Sequence, residues 1–224
     1  MTLPTGLYDP VEGVTLPYSP HTQSLVTLVE AGLKPAGWLE PGTSPIPYRI
    51  WGAHLAQKGL EHTIPRGDWR TSYENQEEAE EIAQQAHATG IACLEEPWTK
   101  SLLLKDIPYG LLFWKKTPST APPAYAENMQ DFGLLLGYPS CCVHMLREGS
   151  ALRFGASLRD RLATHGLPGI EHLVGIHHIP CGVDCHATAR LGYAPFLKDA
   201  HPQLYEAELN RLLWMAQGMS GPSP

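Results

Sequence analysis

The chain has 224 residues, 43% of them hydrophobic and 17% charged, with a formal charge of −7. That is enough for one sizeable folded domain, or for a small domain with an appendage, and it is not the composition of a disordered chain. The acidic balance, with lysines and arginines mostly scattered singly, argues against a nucleic-acid partner. No basic and apolar leader opens the sequence, and no apolar run approaches the roughly 18 residues of a membrane span. The expectation is a cytoplasmic protein without a membrane partner, whose paired cysteines serve metal or redox chemistry rather than a structural disulfide.

In chain order, residues 1–70 are rich in proline, which fixes φ and removes backbone donors. They read as an ordered, irregular wrap in which a helix forms only over Ser24 to Leu33. Trp38, Trp51 and Trp69 mark it as packed. Residues 71–217 read as a single α+β domain. Its first helix carries a capping box, Thr71-x-x-Glu74, an acidic exposed face at Glu77, Glu78, Glu80 and Glu81, and a stop at Gly90.

Short apolar runs at Ile91–Leu94, Leu102–Leu104 and Gly110–Trp114 read as buried strands. Cys93, in the first of these, reads as a small core residue. Residues 117–123 form a Pro-rich loop.

Five helices follow: Tyr125 to Leu136, Pro139 to Glu148, Ala151 to His165, Asp184 to about Lys198 with a bend or break near Pro195, and Gln203 to Gln217. The tail, 218–224, reads as disordered. The predicted fold is α+β: an irregular Pro-rich N-terminal segment, a small sheet, and a mostly helical C-terminal part.

Four of the five cysteines fall in two tight pairs. Cys141 and Cys142 adjoin in Gly137-Tyr-Pro-Ser-Cys-Cys-Val. Cys181 and Cys185 sit in His177-His-Ile-Pro-Cys-Gly-Val-Asp-Cys-His186. Gly137 is placed to end one helix in a left-handed cap and Pro139 to start the next, so Cys141 and Cys142 fall in a first turn. Asp184 is the candidate N-cap of the helix that begins at Cys185. Helix starts favour thiolates, and two of them can converge on one centre.

Four thiolates suit an iron–sulfur cluster or tetrahedral zinc. Neighbouring helical residues point about 100° apart, which favours a bulky cluster over a small ion. Iron–sulfur is therefore preferred to zinc, with metal-free dithiol chemistry as a third alternative. All four cysteines are candidate ligands. If one thiol is free, Cys141 is the candidate nucleophile or redox group. His178 or His177 is then the proton carrier, and Tyr138 lines the pocket. His144 pairs with Glu148 at helical spacing, most simply as a surface pair.

The run Ile107-Pro-Tyr-Gly110, then Leu136-Gly-Tyr-Pro-Ser-Cys-Cys-Val143, then His178-Ile-Pro-Cys-Gly-Val-Asp-Cys-His-Ala-Thr188 resembles a family of mostly uncharacterised prokaryotic proteins. These combine Gly-Tyr-Pro-x-Cys-Cys with His-x-Pro-Cys-x3-Cys. The resemblance spans about residues 107–191 and implies that both cysteine pairs belong to one site. The first 70 residues lie outside it.

Nucleotide-binding loops, zincin motifs, nucleophile elbows and radical-SAM spacing are absent from the sequence. The reading is an enzyme with a cysteine-ligated metal centre, performing redox or lyase chemistry on a small-molecule substrate. The alternatives are a binding module stabilised by structural zinc and a metal-free thiol oxidoreductase.

Overall fold

The computed structural model describes residues 6–9, 13–40, 45–63, 110–115, 129–145 and 149–217. The helix expected over 71–90, the strands at 91–94 and 102–104, Cys93, the loop 117–123, Glu148 and the tail 218–224 lie outside the described residues. Small antiparallel sheets accompany mostly helical structure, and the C-terminal part is helical, an α+β protein.

The chain divides into two compact units. One comprises residues 1–3, 19–28 and 138–224, and the other residues 4–18 and 29–137.

The second unit holds β1 (Gly6–Asp9) and β2 (Val14–Pro17), an antiparallel hairpin. It also holds a three-stranded sheet of β3 (Ala36–Leu39), β4 (Leu60–Thr63) and β5 (Leu111–Lys115) in the order β3-β5-β4. Leu111, Leu112 and Phe113 of the central strand are all fully buried. Burial on both faces explains why this strand reads as an unbroken apolar run rather than an alternating one.

Opposite Phe113 stands Gly37. A Cβ there would come within 2.2 Å of the phenyl ring, so the ring occupies the space a side chain would take. Trp38 meets Phe132 edge-on at 5.2 Å, and Tyr18 meets Trp51 likewise at 5.3 Å.

Regular elements run through the Pro-rich segment. Besides four strands it contains α1 (Pro20–Glu30), earlier in the chain than the Ser24–Leu33 expectation, and α2 (Pro45–Gln57), which the sequence reading did not anticipate. The reason is where the prolines fall. Pro17 ends β2, Pro20 begins α1, Pro35 immediately precedes β3, and Pro45 and Pro47 occupy the first turn of α2. At those positions a missing N–H costs nothing.

Later in the chain α3 (Met129–Leu135) completes the second unit. The first unit contains α4 (Ser140–His144), α5 (Ser150–His165), two short 3₁₀ turns, α6 (His186–Ala189), α7 (Tyr193–Ala200) and α8 (Pro202–Ala216). Its core gathers Leu28 of α1, Phe154 and Leu158 of α5, Leu173, Leu197 and Leu212.

The helix expected over Asp184 to Lys198 is two helices, and the break lies at Gly192 (φ 73°) rather than at Pro195. Pro195 is the third residue of α7, within the first turn, where proline is tolerated. The left-handed glycine turns the chain instead. Among the described residues no helix is long and apolar enough to cross a membrane.

Gly137 has φ 76°, and a Cβ there would lie 2.5 Å from Pro35 Cδ. Gly137→Ala should therefore destabilise the protein by about 1–3 kcal/mol, combining left-handed strain with a clash against a rigid ring. Chemical denaturation of the variant against the parent chain measures this directly.

Candidate metal centre

Pro139, with φ −57° and ψ 136°, ends the extended stretch before α4, and its carbonyl accepts the N–H groups of Cys142 (2.9 Å) and Val143 (3.0 Å). Cys141 and Cys142 thus stand in the first turn of a one-turn helix, with Cys142 and Val143 buried.

The second pair is set by a turn in which the Cys185 N–H bonds the Gly182 carbonyl at 3.1 Å. That turn is anchored from three directions. Val183 is buried in the core, His172 Nε2–H donates to the Val183 carbonyl at 2.6 Å, and Arg161 forms an ion pair with Asp184.

Asp184 is therefore not the cap expected of it. Cys185 itself is the N-cap of α6: its sulfur accepts the Thr188 N–H at 3.4 Å. A thiolate can fill the role of a capping oxygen, and the Asp184 carboxylate is already engaged with Arg161.

The four sulfurs of Cys141, Cys142, Cys181 and Cys185 lie within 4.8 Å of one another, a donor set able to hold a metal ion. Cys141 and Cys142 are 3.9 Å apart at Sγ, Cys141 and Cys185 3.7 Å, and Cys142 and Cys185 3.6 Å. The expected 100° divergence of adjacent helical residues does not keep the first two sulfurs apart. Cys142 and Cys185 are buried, whereas Cys141 and Cys181 are exposed. One side of the group is thus dry and the other open.

Thr188, 2% exposed, lies beneath the buried pair. Its hydroxyl is 3.5 Å from Cys142 Sγ and 3.1 Å from His178 Nε2. With the His178 N–H donating to that hydroxyl, the hydroxyl hydrogen is left to point at sulfur.

Burial acts against the Cys185 thiolate, but the bonds from the Thr188 hydroxyl and backbone, and from neighbouring thiols, outweigh it and bring the pKa down to about 6. Cys142 is pushed up to about 11, first by burial and then by its ionised neighbour Cys185. Cys181 rises to about 12 because its sulfur is desolvated among the others, even though the residue as a whole is exposed. Of Cys142, Cys181 and Cys185, it is Cys185 whose thiolate the surroundings favour.

The candidate proton carriers part company. His178 reaches the cysteines through Thr188, and its ring is tilted against that of Tyr138 at 5.1 Å. The Tyr138 hydroxyl is pushed up to about 12 by burial and by Tyr193. His177 instead bonds Ser24 at 3.0 Å and stacks on His21 at 4.2 Å. His144 donates to the Ser140 carbonyl of its own turn, and Met145 beside it is exposed.

Thr188, His172 and Arg161 were not singled out from sequence. Thr188 had a legible signal, a hydroxyl residue three positions after a helix-starting cysteine. His172 and Arg161 had none, since they reach the turn across the fold. A cleft of about 90 Å³ adjoins the thiols, lined by Cys142, Cys181, Arg153, Phe154 and Ile179 among others.

No protein-family model, no curated protein and no solved structure matches this chain.

In metal-free protein the Cys185 thiolate should form near pH 6, well below the usual thiol range around 8.5. Thr188→Val removes a hydroxyl that favours the charged form, so this ionisation should move to higher pH. Ultraviolet thiolate absorbance followed over a pH series reads both values.

Proposed function

We propose that this is a zinc protein in which Cys141, Cys142, Cys181 and Cys185 close a single tetrahedral ion. The observation that supports it is the compactness of the donor set. A tetrahedron with metal–sulfur bonds near 2.3 Å has sulfur–sulfur edges of roughly 3.8 Å. The three close separations here are 3.6, 3.7 and 3.9 Å. A multi-iron cluster spreads its thiolates over several metal atoms and needs a wider ring of sulfurs. The shared Gly-Tyr-Pro-x-Cys-Cys and His-x-Pro-Cys-x3-Cys spacing also supports one site from both pairs.

Four thiolates saturate a zinc ion, which is the pattern of structural rather than catalytic sites. Zinc bound here would tie the one-turn helix α4 to the turn that starts α6, two elements too short to hold themselves. When bound, it also supplies the positive charge that lets all four sulfurs ionise together.

A second reading, an iron–sulfur enzyme acting on a small molecule, is favoured by one specific feature. Cys141 and Cys181 are exposed, which gives a substrate or electron partner access to the centre.

Metal and acid-labile sulfide analysis of protein purified without air separates the two. The zinc reading predicts one zinc per chain, no sulfide and no visible colour. It also predicts that Cys185→Ser, or chelation of the parent protein, lowers the thermal midpoint. Iron with equimolar or greater sulfide overturns it in favour of the second reading.

A further inference from the structure

A larger cleft, of about 240 Å³, neighbours the one beside the thiols and shares Phe154 and Ile179 with it. Its volume equals the liquid share of roughly eight waters, room for a small organic molecule. The polar wall consists of His21, His177, His178 and Arg211, none of them acidic, and Phe154, Ile179 and Met215 contribute apolar surface. The described residues offer no group of three metal-ligating side chains here, since such a group occurs only at the four cysteines.

Behind the wall lies Glu208, fully buried on α8. Its Oε2 accepts the Nδ1–H of His21 at 3.1 Å and two N–H groups of Arg211 at 3.3 and 3.2 Å. Burial alone would raise this carboxyl, but the His21 bond and the Arg211 charge hold it below its ordinary value. An ionised acceptor at Nδ1 fixes the neutral His21 ring with its hydrogen on Nδ1 and its lone pair on Nε2.

The ring is 38% exposed, so that lone pair is accessible. Stacking orients it further. His177 lies on it at 4.2 Å and is itself held by Ser24, whose hydroxyl donates to the His21 carbonyl at 2.8 Å and so accepts the His177 Nε2–H.

Arg211 has five N–H donors. Two are on Glu208 and one lies 3.2 Å from Met215 Sδ, which leaves two for a ligand. A bound cationic fork with spare donors, imidazoles beside it and an apolar wall opposite select an anion carried on an apolar body.

We infer that this cleft binds a small carboxylic acid of about the size of benzoate, with His21 Nε2 as the proton carrier facing it. A ligand that arrives as the acid gives its O–H proton to His21 Nε2, and one that arrives as the carboxylate is accompanied by a proton that His21 Nε2 takes from water or buffer. In both cases the carboxylate lies opposite Arg211 and the resulting imidazolium faces the Glu208 carboxylate. Release of the ligand with that proton restores neutral His21. This inference does not depend on which metal, if any, the cysteines hold.

The test is nitrogen-15 NMR of the histidine rings, with methyl signals of Met215, in the full-length protein as purified, titrated with sodium benzoate. The ligand-free protein should show His21 protonated at Nδ1 and bare at Nε2. Benzoate should shift the Met215 methyl saturably and move His21 Nε2 toward its protonated signal. Arg211→Gln should weaken benzoate binding by about ten-fold or more, the loss expected for a charge-assisted anchor. His21→Asn, which can keep the bond to Glu208, should abolish the proton uptake and preserve the fold if Arg211→Gln does not. A His21 ring protonated at Nε2 without ligand, or a Met215 methyl indifferent to benzoate, overturns the inference.

Discussion

Four sulfurs confined to a small space would repel one another strongly as thiolates. Two unit charges about 4 Å apart repel by roughly 4 kcal/mol at an effective dielectric constant near 20. Four sulfurs, three of whose separations are 3.6 to 3.9 Å, multiply that repulsion. The fold offers relief for one thiolate, through the Thr188 N–H and hydroxyl beneath Cys185. At Cys142 the Thr188 hydroxyl and the Cys181 backbone also favour the charge, but burial and Cys185 outweigh them, and burial among the other sulfurs likewise makes Cys181 hard to ionise. A cation brought into the group would let every sulfur act as a thiolate, and the four cysteines are a donor set that could hold one.

Bringing the sulfurs together needs short, well-anchored elements rather than long ones. α4 is five residues and α6 four, and neither would be stable alone. Their positions are set by what surrounds them: Pro139 before α4, and before α6 a turn held by Val183, His172 and the Arg161–Asp184 pair. Residues 176–179 continue the same logic into the neighbouring cleft. His178 faces Thr188 and the thiols, whereas His177 faces Ser24 and His21, so consecutive residues serve two different polar groups. Both clefts then rest on the same apolar support, Phe154 and Ile179.

Much of the site was legible in the sequence because it is local. The Gly-Tyr-Pro-Ser-Cys-Cys order dictates a left-handed turn followed by a helix start, and the structure has Gly137 at φ 76° with α4 beginning at Ser140. The central strand was legible from an apolar run that only two-sided burial explains. Less legible was anything that depended on competition between partners. Asp184 has the right chemistry for an N-cap, but Arg161, 23 positions earlier in sequence, claims it. Pro195 looks like a break until its place in a first turn is known.

Proline density misled for the same reason: each proline constrains one residue, and its effect on an element depends on whether it falls at an end or inside. Glu208 left a readable trace, a carboxylate on the helical stripe of Tyr205, Leu209 and Leu212, whereas its partner His21 lies 187 residues away and could not be found by spacing.

X-ray absorption at the metal edge, on protein purified without air, tests the central claim most directly. The account predicts zinc with a single shell of four sulfurs at about 2.3 Å and no metal neighbour. An iron edge with a second, metal–metal scattering shell would show that the four cysteines surround a cluster, and would contradict it.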